Sequence, residues 1–379
     1  MVGVRINTCK DKCAYIIKGI IVLLTLFLPS FLYSVTPQDF PHYDRSKLPR
    51  GCASCHIGHG VSNTPMLPER KENFCLSCHG SGYNVEKVKS QGLLSESVIT
   101  SDMQRVFEKP YRHPIETSAY HRYDEILPER DPATPRHVAC VDCHHHHFAS
   151  NKNKVYAVKG VDKDGSKTDY VVKEYELCFK CHSFSANLPG DQVNKAELFN
   201  DVNPSYHPVC GFGKNNNVPS LVPSLNESSI IKCTDCHNND DTSGPKGPHG
   251  SNYRHILKKN FVDLDGGESE KQYELCYSCH LRSSILNDES FTYHSLHIVS
   301  VGASCRTCHN PHGSTKYTHL IDFDNLNISP AKGRILFVDL GNFAGQCYLT
   351  CHGKEHSPKM YPSGSIPPSD VLKSIKKRR

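Results

Sequence analysis

The apolar residues of this chain are concentrated in one run near its start and are otherwise scattered in short groups. The run "GIIVLLTLFLPSFLYS" (residues 19–34) follows a basic segment, is short for a membrane span and is interrupted by Pro29. It predicts a cleaved secretory signal over residues 1–34, with an uncleaved N-terminal anchor as the alternative. No later apolar stretch is long enough to span a bilayer. We therefore expect an exported protein, located in the periplasm, at the outer membrane or outside the cell.

Beyond residue 34 the polar and apolar positions predict only short elements. The segments "KVYAVKG" and "DYVVK" flank "VDKDGSK", a pattern that predicts a β-hairpin with a turn at Asp164-Gly165. Residues 211–229 are rich in Pro, Asn and Ser and predict a surface loop. The fold class expected is therefore mostly irregular chain with short α-helices and a few β-hairpins.

The composition does not supply a large core of side chains. Only 37% of the 379 residues are hydrophobic and Trp is absent, whereas there are 19 Cys and 24 His. Either much of the chain is disordered, or something other than side chains fills the interior. An exported chain with this many cysteines usually carries disulfides, but the spacing of the cysteines indicates another use.

The sequence C-x-x-C-H occurs seven times, and we refer to these copies as the strict motifs. An eighth copy, the last motif, has three residues between its cysteines. Together the eight copies use 16 of the 19 cysteines. The cysteines are Cys52 and Cys55, Cys75 and Cys78, Cys140 and Cys143, Cys178 and Cys181, Cys233 and Cys236, Cys276 and Cys279, Cys305 and Cys308, and Cys347 and Cys351.

The spacing of the strict motifs suits covalent attachment of haem. Residues three apart share one face of a helical turn, so both sulfurs can form thioethers with the vinyl groups of one haem. The histidine that follows can then bind the iron as proximal ligand. Structural zinc is the alternative, but it does not require a histidine after every second cysteine. For the last motif a disulfide or two free thiols is the alternative. The predicted cofactor is haem c, eight copies, or seven if the last motif is empty.

The proximal histidines follow directly from the motifs. They are His56, His79, His144, His182, His237, His280, His309 and His352.

The motifs alternate in character along the chain. Odd motifs are followed by a further histidine near glycine or small residues, as in "CHNPHGS", and two even motifs share the approach "YELC". This internal repeat predicts four two-haem units. They span residues 35–103, 104–200, 201–290 and 291–379, the last with a basic C-terminal tail. We expect the haems to supply the core.

These elements resemble the doubled-CXXCH multihaem cytochromes c of metal-reducing bacteria over nearly the whole mature length. The residues that carry the resemblance are "CHNPHGS", "GPHGS", the "YELC" approaches and the end "CYLTCHGKEHSP". The resemblance implies closely packed haems with two axial histidines each. It also implies electron transfer across the envelope or to extracellular acceptors.

Sixteen histidines remain as candidates for the distal ligands. A first group follows the odd motifs, and the resemblance implies that such a residue binds a neighbouring haem: His59, His147, His249 and His312. A second group precedes the odd motifs: His42, His113, His207, and either His294 or His297, which share one place. We expect the others, His121, His137, His145, His146, His255, His319 and His356, to contact propionates or solvent, with His137 and His356 as reserves.

The charge balance points away from nucleic acid. The formal charge is +5, and removal of residues 1–34 leaves +2, because that segment carries four basic residues and one acidic residue. Eight haems add about sixteen propionate charges, against about eight from ferric centres, so the mature protein should be acidic overall. Expected partners are other cytochromes or extracellular electron acceptors, and a homopolymer is a further possibility.

Three functions therefore compete at this level. The first is electron transfer without substrate chemistry. The second is a multihaem reductase of the nitrite or hydroxylamine type, which needs one haem with an open iron position. The third is a subunit of a haem-lined filament. Cys210 is the one mature cysteine outside the motifs, and we expect it to be buried incidentally.

Overall fold

The computed structural model describes residues 39–362, except 63, 116–126, 128–129, 134–137, 151, 187 and 189–191. The predicted signal at 1–34, the basic tail, His121 and His137 lie outside the described residues. Regular helices in the described part are short. They are α1 (Lys71–His79), α2 (Gly82–Ser90), α3 (Gln104–Phe107), α4 (Cys140–Cys143), α5 (Glu174–His182), α6 (Lys195–Leu198), α7 (Glu274–Tyr277), α8 (Arg282–Leu286) and α9 (Cys305–Cys308), with 3₁₀ turns at Gly51–Ser54, Cys233–Asp235 and Arg254–Ile256 and a π-helix at Leu296–Ser300.

The strands are mostly two residues long until the C-terminal part of the chain. They are β1 (Tyr111–Arg112), β2 (Gly160–Val161), β3 (Lys167–Thr168), β4 (Ser205–Tyr206), β5 (Gly250–Ser251), β6 (Gly313–Ser314), β7 (Ile328–Ser329), β8 (Leu336–Gly341), β9 (Ala344–Cys351) and β10 (Lys354–Tyr361). The predicted hairpin is confirmed, because β2 pairs with β3 around a turn in which Gly165 has φ +85°. Residues 211–229 contain no helix or strand, as predicted for a surface loop. Mostly irregular chain with short helices and small strands is therefore confirmed as the fold class.

Two short strand pairs connect regions of the chain that are far apart in sequence. β1 pairs antiparallel with β5, and β4 pairs antiparallel with β6. In both cases the first strand ends just before a histidine (His113 or His207), and the second begins just after one (His249 or His312). These two pairs, which we call the strand bridges, therefore place histidines from distant segments side by side.

Glycine is required in the second strand of each bridge because another backbone passes close by. A Cβ at Gly250 would lie 2.2 Å from the carbonyl oxygen of Val106, and one at Gly313 would lie 2.0 Å from that of Leu198. Both distances are far inside van der Waals contact. The glycine in the repeated "PHGS" elements thus allows the chain to pack closely.

The C-terminal region forms a four-stranded antiparallel sheet that the sequence analysis did not predict. β9 pairs with β7, β8 and β10. β9 and β10 are joined by the two-residue turn His352-Gly353, whose φ values are +48° and +74°. Positive φ at both turn residues is the type I′ geometry that matches the twist of a hairpin. The last motif therefore lies on a strand and a turn instead of a helix.

The buried side chains form three separate small clusters in the described part of the chain. One surrounds Phe179 and Tyr206, a second surrounds Phe337 and Leu349, and a third surrounds Leu94. Such small clusters agree with the low hydrophobic content. In the part of the chain that the structure describes, no helix is long and apolar enough to cross a membrane.

Candidate haem sites

The strict motifs fold into a helical turn that carries the two cysteines and the histidine together. In five of them the backbone N–H of the motif histidine donates to the carbonyl of the first cysteine, at 2.8–2.9 Å: His56, His144, His237, His280 and His309. This bond closes one turn, which brings residues three apart onto one face. The predicted geometry for attachment of both sulfurs to one haem is thus present.

A side chain between the two cysteines stabilises this turn in several odd motifs. Asp142 accepts from the backbone N–H of Ala139 at 2.6 Å, and Asp235 accepts from that of Lys232 at 2.8 Å. At Cys305, Ser304 at the N-cap accepts from the N–H of Thr307 at 3.2 Å. Bonds of this kind satisfy backbone donors that a helical turn leaves free at its N-terminus.

Every strict-motif histidine faces a second histidine at nearly the same distance. The ring centroids are 6.1 Å apart in His42–His79, 6.3 Å in His56–His147, 6.3 Å in His113–His182, 6.0 Å in His144–His249, 6.4 Å in His207–His280, 6.1 Å in His237–His312 and 6.4 Å in His294–His309. Two imidazoles on opposite sides of one metal ion have centroids about 6.3 Å apart, because the metal–nitrogen bond is about 2.0 Å long and the centroid lies about 1.2 Å behind the nitrogen. The spacing therefore fits an iron ion between each pair.

Hydrogen bonds at Nδ1 leave the other nitrogen of many of these rings free. Nδ1 of His56 donates to the carbonyl of Pro65 at 3.0 Å, and Nδ1 of His113 donates to that of Pro248 at 2.7 Å. A carbonyl only accepts, so Nδ1 must carry the proton and Nε2 holds the lone pair that binds metal. The same arrangement holds for His42, His144, His207, His237 and His309.

Burial favours the neutral form of two of the paired histidines, His113 and His249. Burial first, and then the charge of the facing His182, lowers the pKa of His113 to about 4. Burial and the facing His144 likewise lower the pKa of His249 to about 4, and the Nδ1 of His249 is buried without a partner. Neutral imidazole is the form that binds a metal ion. The rings of His113 and His249 are therefore in the protonation state that ligation requires.

The cysteines of successive motifs lie close together in the order of the sequence. Thiols of adjacent motifs are within hydrogen-bonding reach at Cys75 and Cys140, at Cys178 and Cys233, and at Cys276 and Cys305. The second cysteines of paired motifs are also electrostatic neighbours, as Cys55 is of Cys78 and Cys308 is of Cys351. The attachment sites thus follow one another along the chain, from the first motif to the last.

The facing histidines follow a regular rule in the first three units. The even motif faces the histidine that precedes its own unit's odd motif, as His79 faces His42. The odd motif faces the histidine that follows the odd motif of the next unit, as His56 faces His147. For the third unit this rule brings His207 and His312, the latter from the fourth unit, together on a strand bridge, with Nδ1 of His207 donating to the carbonyl of Pro311.

The last motif departs from this pattern. Cys347 and Cys351 lie on β9 and not on a helical turn, and the N–H of His352 donates to the carbonyl of Asn327 at 3.4 Å. His352 is exposed at the corner of the hairpin, and its Nε2 lies 2.9 Å from Oδ2 of Asp265. Among the described residues, no second histidine therefore faces His352.

The remaining candidates lie in different environments. His59 is exposed and has no ring or hydrogen-bond contact among the described residues. His294 and His297, predicted to share one place, each face a different histidine, and the partner of His297 is His356 at 6.4 Å. His356 was only a reserve in the sequence analysis. His356 follows Cys351 by five residues, so its place beside the motif is not evident from the sequence.

Two other histidines contribute through their backbone, a role that the sequence analysis missed. The carbonyl of His255 accepts from Nδ1 of His237 at 2.8 Å, and that of His319 accepts from Nδ1 of His309 at 2.9 Å. Both residues have left-handed backbones, with φ of +64° and +56°. In the motif "CHHHHF", Nδ1 of His145 accepts from the N–H of His147 at 3.2 Å and so stabilises the turn that carries His147.

The arrangement favours haem over zinc. Structural zinc needs four converging protein ligands, or three with water. Within residues 39–362, apart from the gaps named above, no group of three or more His, Cys, Asp and Glu side chains is placed to hold a metal ion. Each site instead offers two opposed histidines with a pair of thiols nearby, which is what a haem with its own four nitrogen ligands requires.

These features indicate a multihaem c-type cytochrome. Residues 48–83 and 228–284 match the family model of the doubled CXXCH motif, which confirms the family that the sequence resembles and indicates covalent binding of haem c. The matched regions contain the first and second and the fifth and sixth motifs. No curated protein and no solved structure matches the chain.

Proposed function

We propose that the chain is an exported octahaem cytochrome that relays electrons through bis-histidine haems, across the periplasm or to an extracellular acceptor. Haem c supplies one-electron oxidation and reduction when it is bound. The observation that carries the proposal is the facing histidine at 6.0–6.4 Å from each of the seven strict-motif histidines. With both axial positions closed by the protein, a small substrate has no iron site to enter.

The same observation favours electron transfer over a multihaem reductase. A reductase needs one iron with an open position, and each strict motif already has a second histidine aimed at that position. The sequential order of the cysteine pairs supports a relay, because neighbouring attachment sites such as Cys75 and Cys140 are in contact. Exported location and redox-protein partners belong to the same proposal.

Mass spectrometry and spectroscopy of the purified mature protein test this function. Eight haems add about 4.9 kDa to the polypeptide, and bis-histidine ligation predicts low-spin ferric iron throughout. The reduced protein should not bind carbon monoxide without denaturation. A native high-spin haem that binds carbon monoxide would favour the reductase. Electron microscopy of the same sample distinguishes a single-copy carrier from a haem-lined filament.

A further inference from the structure

The pair His297 and His356 repeats the geometry of the seven strict-motif pairs at a place where no strict motif exists. The two ring centroids are 6.4 Å apart. Two imidazoles at adjacent corners of a tetrahedral metal site would be about 5.1 Å apart, whereas opposed ligands would be about 6.3 Å apart. The observed distance therefore fits two histidines that would hold one iron from opposite sides and is too long for neighbouring ligands of a tetrahedral site.

The hydrogen bond at Nδ1 of His297 is of the same kind as those of the strict-motif histidines. Nδ1 of His297 donates to the carbonyl of Tyr293 at 2.7 Å, which leaves the Nε2 lone pair free. Its ring packs against Phe291, with centroids 5.6 Å apart, and Phe291 also contacts His294 at 5.2 Å. His294 and His297 are three residues apart in one helical segment, so they share a face.

The register of the hairpin places His356 on the same face as the cysteines of the last motif. His356 lies directly opposite Leu349, which is two residues from Cys347 and two from Cys351. Side chains alternate along a strand, so residues 347, 349 and 351 share a face, and directly paired residues share it as well. His356 therefore lies on the face of the hairpin that carries the two cysteines, opposite the residue midway between them in β9.

The side chain of His352 is engaged by Asp265 and does not offer a free Nε2 to a metal ion. Its Nε2 contacts Asp265, the reverse of the free Nε2 seen at the strict motifs. Asp265 is itself fixed by the N–H of Ser304 at 2.7 Å and by the side chains of Thr307 and Asn327. The turn that contains His352 has the left-handed backbone of a hairpin corner.

We propose that the iron of the last haem is bound by His297 and His356, and that the motif histidine His352 is not a ligand. This rests on the proposed octahaem function. The last unit then supplies both distal ligands from one helical segment, His294 for the seventh haem and His297 for the eighth. It needs no histidine from a following unit.

Two alanine variants of the mature holoprotein test the assignment, with His352→Ala as the matched control for His356→Ala. We expect His356→Ala to convert one haem in eight to a high-spin ferric form and to allow one equivalent of carbon monoxide to bind after reduction. His352→Ala should leave both spectra unchanged. The reverse result, with His352→Ala opening the haem and His356→Ala silent, overturns the proposal.

A third variant guards against a folding defect. His356→Met retains an axial ligand, so we expect six-coordinate iron and an upward shift in the reduction potential of one haem, as histidine–methionine ligation gives. An unchanged potential in His356→Met overturns the assignment. Mass spectrometry of the wild type separates the two proposals: seven low-spin haems would refute the ligand pair and leave electron transfer standing, whereas a haem-free protein would refute the proposed function itself.

Discussion

In the first three predicted units the two histidines proposed as distal ligands come from distant segments of chain, whereas in the last predicted unit they come from one helical segment. His113 and His249 are joined by the bridge of β1 and β5, across more than a hundred residues of sequence. His294 and His297 need no bridge. A predicted unit in the middle of the chain can take a proposed ligand from the unit that follows it, whereas in the last unit both proposed distal ligands lie within the described part of the unit itself.

The motifs of these regions differ in the same way. Cys78, His79 and Gly80 read "CHG" at the end of α1, and Cys351, His352 and Gly353 read "CHG" at a hairpin corner. Gly80 has φ −103° and Gly353 has φ +74°. The same three-residue sequence thus adopts two backbone conformations. The copy at 351–353 differs because Cys351 is paired with neighbouring strands on both sides.

The two regions show that the backbone conformation of a motif does not determine which segment provides the facing histidine. A helical turn delivers cysteines and a proximal histidine as one unit. A strand places the cysteines on one face, and the histidine proposed as their ligand lies across the hairpin, opposite Leu349. The following predictions test how far this difference extends.

The largest effect is expected from removing a pair of cysteines in the middle of the chain. The double variant Cys140→Ala, Cys143→Ala should lose one haem, a mass decrease of about 0.6 kDa. It should also lower the melting temperature strongly, because Cys140 contacts Cys75 of the preceding motif and Cys143 is half-buried. Intact mass and thermal unfolding measure both effects.

The matching variant in the last motif sharpens the contrast. Cys347→Ala, Cys351→Ala should also lose one haem but destabilise less, since β7–β10 remain paired. Cys210→Ala is the control: its thiol is half-buried beside the cluster around Phe179, with a pKa raised to about 12 by burial, and it lies outside the motifs. A haem loss in Cys210→Ala, or none in Cys140→Ala, Cys143→Ala, would contradict the assignment.

A second effect should follow from Gly250→Ala, which attacks a strand bridge. The new Cβ would lie 2.2 Å from the carbonyl oxygen of Val106, so β5 must shift away from α3. We expect a loss of about 1–3 kcal/mol in the free energy of unfolding and weakened ligation by both His113 and His249. Chemical denaturation and the high-spin fraction of the ferric spectrum report these changes.

The control for this variant is Gly82→Ala. A Cβ at Gly82 meets nothing within 4 Å, and the residue begins α2. Its stability should be unchanged or slightly raised, since alanine favours a helix more than glycine does. Equal destabilisation by both substitutions would show that the close approach at the bridge is not what requires glycine.

A smaller and more local effect is expected from His147→Ala compared with His59→Ala. Both residues stand three positions after a motif histidine, but only His147 faces another one, His56 at 6.3 Å. His147→Ala should open one iron, visible as a high-spin signal and as carbon monoxide binding. His59→Ala should have no spectral effect. A high-spin signal in His59→Ala would mean that the position three residues after the motif histidine decides ligation, and that the position in the fold does not.

Much of this site could be predicted from the sequence, and the limits have physical causes. The cysteines and proximal histidines of the strict motifs follow from helical spacing alone, as does the phase of His147 and His312. Which histidine faces which motif depends on the strand bridges, and two-residue strands leave no periodic pattern. His356 could not be distinguished from His352, because the register of β9 and β10 creates its position.

The smallest effect concerns a contact in the C-terminal sheet that involves no proposed ligand side chain. Oδ2 of Asp339 on β8 accepts from Thr318 at 2.8 Å and lies 3.0 Å from Nε2 of His319, while the N–H of Gly341 donates to Oδ1 at 2.9 Å. These bonds lower the pKa of Asp339 to about 2, and the bond with His319 has the largest effect. If the last unit is held by ordinary protein contacts, this carboxylate should contribute to its stability.

Asp339→Asn should therefore cost about 1–2 kcal/mol at neutral pH, after allowance for solvent screening of a partly exposed group. The folded-state pKa lies below the ordinary value of 3.8, so the contribution is complete above pH 3.8 and disappears as the pH falls from there to about 2. Urea denaturation at a series of pH values measures it, with the exposed Asp324→Asn as control. The difference between wild type and Asp339→Asn should vanish near pH 2 while the haem spectrum at neutral pH stays the same. A difference that persisted at pH 2 would show that the carboxylate acts through shape instead of charge.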